Sequence, residues 1–180
     1  MRGMRLRDLL PHFKRATHGG DVESAAAHSA APLSPHLELG RRGEALAAEH
    51  LRRAGYRLAA ANFKLPVGRN LRGAVVEAEI DLVAYEGHML CFVEVKTRAS
   101  DWFAAPEANV DLRKQRQISR AARAYRRALG LAGAPHRYDV VSVVLPPPDE
   151  KGHAPAPRIE LLRNFWTDAK FKKRRWQGNK

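Results

Sequence analysis

Residues 78–98 read AEIDLVAYEGHMLCFVEVKTR, and their pattern decides the fold. Two apolar runs flank Glu86-Gly87, so the stretch reads as an antiparallel hairpin. A two-residue loop sets the register of such a pair. With Glu86 and Gly87 in the loop, Tyr85 faces His88, Asp81 faces Phe92 and Glu79 faces Glu94. Side chains alternate along each strand. Glu79, Asp81, Glu94 and Lys96 are then expected on one face, and Ile80, Leu82, Val93 and Val95 on the other. Three carboxylates and an amine beside so much apolar surface cost free energy unless the charges pair or hold a metal.

Working outward, a first helix is expected over residues 36–55, HLELGRRGEALAAEHLRRAG. Leu37, Leu39, Ala45, Leu46, Ala48 and Leu51 recur at helical spacing, and Gly55 stops it. By itself Glu44 reads as an exposed helix former opposite Arg41. YRLAAANFKL reads as a first strand, and PVGRNLRGA as a Pro/Gly loop. After the hairpin comes a loop, TRASDWFAAPE, with Trp102 and Phe103 assigned to the edge of the core. A second helix follows over residues 109–131, with an inward stripe of Val110, Ile118, Ala121, Ala122, Tyr125 and Leu129. HRYDVVSVVLPPP reads as a buried strand and RIELLRNFW as an edge strand. The order αβββαββ implies an α/β fold with a mixed central sheet and flanking helices.

The core domain is expected over residues 36–166. Residues 1–35 read as a basic, disordered arm, and residues 167–180 as a basic tail with Phe171 and Trp176 interleaved. The 180-residue chain carries 32 Lys and Arg against 19 Asp and Glu, a net charge of +13. Such a surplus points to a polyanionic partner. In the second helix Arg113, Lys114, Arg116, Arg120, Arg123, Arg126 and Arg127 face one acid, Asp111. Helical ion pairing therefore cannot account for the run, and phosphate contact can. The single cysteine, Cys91, lies in an apolar strand; it suits a packed core and a reducing cytoplasm. No apolar run approaches membrane-spanning length.

Phosphodiester hydrolysis needs a cation on the phosphoryl oxygens and an activated water. Asp81 and Glu94 are suitable hard ligands for Mg²⁺ or Mn²⁺. Lys96 can position the water or stabilise the pentacovalent phosphate, and Glu79 can support the ligands. The alternative is a structural ion pair of Glu94 with Lys96 or Arg98.

The spacing D-(x)12-E-x-K resembles the PD-(D/E)xK nuclease signature. LGRRGEALAAEHLRRAGY, NFK, AEIDLVAY, FVEVKTR, the VDLRKQRQI helix and RYDVVSV together resemble the YraN-like family of bacterial proteins over about residues 37 to 145. That resemblance implies a restriction-endonuclease-like fold, similar to archaeal Holliday-junction resolvases. It implies catalytic roles for Asp81, Glu94 and Lys96, and adds Glu44 as a further metal ligand from the first helix. Lys114 and Gln115 match the start of the basic helix. The chain departs from the family at Ala78, where glycine is usual, and in a longer stretch at 65–73. The expected function is a Mg²⁺- or Mn²⁺-dependent endonuclease on branched or damaged DNA, with Arg113, Lys114, Gln115, Arg116 and Arg120 on the nucleic acid. Many enzymes of the fold are homodimers. The alternatives are a nucleic-acid binder that does not cut, and a docking protein on a nucleic-acid-processing complex.

Overall fold

The structure is a computed structural model that describes residues 34–99 and 110–171. Helix α1 (Pro35–Arg53) precedes strands β1 (Arg57–Arg69), β2 (Val75–Glu86) and β3 (Met89–Arg98). Helix α2 (Leu112–Ala128) leads to β4 (His136–Val144), β5 (Arg158–Trp166) and a 3-10 turn, Asp168–Phe171. The strands form one sheet in the order β1-β2-β3-β4-β5. Only β3 and β4 run parallel; the other neighbours are antiparallel. A parallel pair needs a crossover, which α2 supplies. The mixed sheet and the order αβββαββ are as expected from the sequence. Expectations for residues 1–33, for Trp102 and Phe103, and for residues 172–180 lie outside the described residues.

Each helix covers one face. Under α2, Ile118, Ala121, Ala122 and Tyr125 meet Ile80, Val83, Phe92 and Tyr138. Under α1, Ala47, Ala48 and Leu51 meet Leu82, Cys91, Val93 and Val141. Alternate residues of β3 thus feed both cores, as the period of a strand requires. Cys91 is packed there, and burial pushes its thiol up to about 12. Val110 and Leu129 also pack in the α2 core, so the expected helical stripe holds throughout.

The α1 stripe is rotated from the expectation. Leu37 and Ala45 are exposed, and Gly43 and Ala47 are buried instead. A close approach sets this phase: a Cβ on Gly43 would stand 1.8 Å from Thr97 Oγ1 and 2.7 Å from Thr97 Cβ. Gly43→Ala is therefore expected to push α1 off β3 at a cost of about 1–3 kcal/mol. Thermal unfolding should show the loss, and Thr97→Ala should recover part of it.

Two further expectations need correcting. The hairpin register is Glu86↔Met89, Tyr85↔Leu90 and Leu82↔Val93, two residues from the expected one. The loop is Gly87-His88. Gly87 has φ 58°, which suits glycine at the first central position of a two-residue hairpin loop. A two-residue shift leaves the alternation of faces unchanged. Second, the Pro/Gly stretch is mostly strand: β1 runs to Arg69 and pairs with β2 as far as Val75. An edge strand tolerates Pro66, and a register shift lies between Pro66 and Gly68. The turn beyond is closed by Asn70, whose Oδ1 accepts from Arg72 N at 2.9 Å and Ala74 N at 3.0 Å. Leu71 at its tip is fully exposed.

The opposite end of the hairpin is pinned to β4. Arg137 pairs with Glu86 at 2.6 Å and with buried Asp139 at 2.9 Å, and donates to Tyr56 Oη at 2.5 Å. Asp139 also accepts from Asn164 N at 2.8 Å, across a register irregularity between β4 and β5. Both oxygens of this buried carboxylate are thus answered by donors, as burial demands.

Candidate functional site

Asp81 sits where β2 changes frame. Ala78 and Ile80 lie in the α2 core, as does Val83 three residues on, whereas Leu82 and Ala84 lie in the α1 core. Ile80 is therefore on the α2 side and not with Leu82, as strict alternation implies. The partner strand is irregular at the same level. Asn62, between the pairs Ala61↔Leu82 and Phe63↔Ile80, has φ 49°. Asparagine tolerates that left-handed conformation better than most residues. Paired residues of β2 and β3 run from Glu86↔Met89 to Leu82↔Val93. Just beyond, the Val95 N–H donates to Asp81 Oδ2 at 2.7 Å. The side chain takes the place of the next backbone acceptor.

Glu94 and Lys96 project from β3 toward the α2 face. Glu94 is 1% exposed. Its Oε1 accepts from Lys96 Nζ at 2.7 Å. Its Oε2 lies 3.1 Å from Lys114 Nζ, an ion pair without the alignment of a hydrogen bond. Burial pushes the Asp81 carboxyl up to about 7, helped by the neighbouring Glu94, while Lys114 and the Val95 N–H oppose the rise. Burial works against the Lys114 ammonium, but Glu94 and Asp81 outweigh it and hold its pKa above the ordinary value. Four groups from three elements thus form one cluster: two carboxylates and two amines.

The sequence assigns Lys114 to phosphate; here it faces the acids. Its place follows from local structure. Asp111 caps α2 by accepting from Lys114 N at 2.7 Å, which fixes Lys114 in the first turn, where its Nζ meets Glu94 of β3. The neighbouring Gln115 is buried and committed: its Nε2 donates to Val110 O at 2.7 Å, and its Oε1 accepts from Lys170 Nζ at 3.1 Å. Gln115 thus holds the helix start and presents nothing to solvent. Arg113, Arg116, Arg120, Arg123 and Arg127 are the outward basic residues, and their spacing puts them on one face of α2. Arg126 instead turns back to hold the chain after the helix, donating to Leu131 O at 3.3 Å and to Ala132 O. Phe171 packs against the α2 core with Arg116 5.7 Å above its ring, so it is engaged in packing.

Glu79 pairs with Lys64 at 3.6 Å across the β1–β2 ladder, and its charge adds to those of Glu94 and Asp81 in holding the Lys114 pKa up. Glu44 is half-buried on α1, one residue past the contact of Gly43 with Thr97. It does not join Asp81 and Glu94: among the described residues no three His, Cys, Asp or Glu side chains gather as a metal site. Among the described residues, the carboxylates that meet here are two, Asp81 and Glu94. That suits Mg²⁺, which is commonly held by one or two carboxylates with waters and substrate phosphate completing its shell. The buried Glu94 Oε2, lacking an aligned donor, is an acceptor of the kind such an ion uses.

The fold and the cluster define a class: a mixed α/β domain with compensated acids in the middle of two adjacent strands and an arginine-lined helix beside them. Residues 43–143 match the model of a family described as Uncharacterised protein family UPF0102. The chain belongs to this family, the one that includes the YraN-like proteins. It is similar to a UPF0102 protein of Koribacter versatilis, 38% identical over 129 residues, which covers 72% of this chain and 79% of the relative. A UPF0102 protein of Geobacter sulfurreducens is 40% identical over 126 residues, covering 70% of this chain and 86% of its own. No helix among the described residues is long and apolar enough to cross a membrane.

Proposed function

We propose that the chain is a metal-dependent endonuclease of the restriction-endonuclease-like type, acting on branched or damaged DNA. The observation that carries this reading is the contact between Asp81 and the buried Glu94 at a break in the β2–β3 ladder, with Lys96 Nζ 2.7 Å from Glu94. A structural ion pair needs neither a second acid nor a frame change. Buried ion pairs are also weak stabilisers. In this reading Asp81 and Glu94 hold Mg²⁺ or Mn²⁺, Glu44 approaches from α1 when substrate is bound, and Glu79 supports the hairpin. When bound, the cation supplies charge on the phosphoryl oxygens and a more acidic water. Lys96, anchored by Glu94, is aimed at the same space and offsets charge on the pentacovalent phosphorus. The packing of β3 against both cores keeps these groups in place before substrate arrives. Purified protein should nick supercoiled or junction DNA with Mg²⁺ or Mn²⁺ and stop on chelation; no cutting of any DNA under these conditions would sink the reading.

The arginine stripe of α2 supports DNA as the partner. It also favours a second reading, a nucleic-acid binder that does not cut, because that face is complete without metal. Replacing Arg113, Arg116 and Arg120 together by alanine should weaken binding. It should also reduce the slope of log K against log salt by about 0.9 for each phosphate no longer neutralised. Binding that survives chelation with no cleavage by the wild-type protein would favour this second reading.

A further inference from the structure

We infer that Lys114 is a stand-in for the metal's charge, released to the DNA backbone as the cation enters, so that metal and DNA bind cooperatively. The inference rests on the nuclease reading and adds to it a regulation of the same site. Lys114 Nζ lies 3.1 Å from Glu94 Oε2, and Lys96 Nζ lies 2.7 Å from Glu94 Oε1. Both oxygens of a carboxylate that is 1% exposed are therefore matched by an amine. With Asp81 ionised, two negative charges meet two positive ones. A divalent cation added to that balanced set would leave an uncompensated surplus in a partly dry site, which is strongly unfavourable.

One movement removes the surplus. Lys96 and Lys114 are similarly exposed, 28% and 32%, but Lys96 Nζ is held to Oε1 by a 2.7 Å hydrogen bond, whereas Lys114 Nζ lies 3.1 Å from Oε2 without that alignment and is the freer to turn away. Lys114 also stands in the first turn of α2, directly after Arg113 and before the exposed Arg116. A phosphodiester on that stripe lies within reach of its ammonium. Once Lys114 turns outward, two carboxylates and one phosphate face Lys96 and the divalent cation, and the charges cancel again. Without DNA the lysine keeps the acids occupied and the metal weakly held. This protects the chain from carrying a loaded hydrolytic centre without substrate.

Coupling of this kind is reciprocal and measurable. The full-length chain would be titrated calorimetrically with Mn²⁺, alone and with a nuclease-resistant phosphorothioate duplex. Lys114→Gln is expected to bind Mn²⁺ about tenfold more tightly than wild type in the absence of DNA. The duplex should tighten Mn²⁺ binding to wild type by a clearly larger factor than to Lys114→Gln, where only the phosphate's own ligation of the cation remains. Lys114→Gln binding Mn²⁺ no more tightly than wild type overturns the inference, provided Asp81→Asn has lost Mn²⁺ affinity and the site is therefore real. Asp81→Asn binding Mn²⁺ as wild type does would overturn the metal site itself, and the inference with it.

Discussion

Asp81→Asn is expected to lower Mg²⁺-dependent DNA nicking by about 10³-fold or more, corresponding to roughly 4 kcal/mol of lost transition-state stabilisation. Asparagine is the informative replacement because the side chain has two tasks. Its Oδ2 accepts from Val95 N at 2.7 Å, a bond an amide oxygen can keep. Its charge, beside Glu94, is what a divalent cation needs and an amide lacks. On the proposed reading the arginines of α2 bind the DNA, so binding should be unchanged in a filter or anisotropy assay. Undiminished nicking by the variant would place the chemistry elsewhere or in a contaminant.

The same substitution should stabilise the folded protein at alkaline pH. The Asp81 carboxyl is raised from an ordinary value of 3.8 to about 7, first by burial and then by Glu94. Between these values the folded chain keeps a proton that the unfolded chain releases. Stability therefore falls as pH rises through that window and levels off above about pH 7. At pH 8 the wild-type protein bears the full cost of an ionised Asp81, a few kcal/mol at about 1.4 kcal/mol per pK unit. Asp81→Asn has no proton to lose there. Its melting temperature should exceed that of wild type by several degrees at pH 8, with the gap narrowing toward pH 5. Mg²⁺ should shrink the gap from the other side by stabilising wild type alone. A gap that is absent or independent of pH would show that the carboxyl is not held in a costly state.

Much of this is legible in the chain. The apolar run of residues 89–93 marks a strand buried on both faces, and the alternation over residues 93–96 places Glu94 and Lys96 together. Asp81 emerges for a partly mistaken reason. Alternation gives it the correct face, but Ile80 then has to lie opposite, and it does not. A frame change needs an irregular partner, here Asn62 with φ 49°, and one strand read in isolation carries no sign of it. The loop position is ambiguous because Glu86-Gly87 and Gly87-His88 both contain a turn former; backbone handedness decides between them. Pro66 and Gly68 read as loop because an edge strand, where proline costs little, cannot be told from a central one before the sheet is assembled. Lys114 is hidden among seven basic residues of α2. The usable signal is position: a basic residue in the first turn of a crossover helix can face the strand before it, as Lys114 faces Glu94.

The frame change in β2 has a consequence for protein engineering. A strand cannot ordinarily gain or lose one residue without turning the rest of its row inside out. Here nature has already made that adjustment, and residues 80–82 with Asn62 opposite them form the splice. Anyone transplanting the β2–β3 hairpin to another scaffold must move both sides of the splice as a block. A graft that regularised it would bring the greasy residues into good order and leave the acid facing the wrong way.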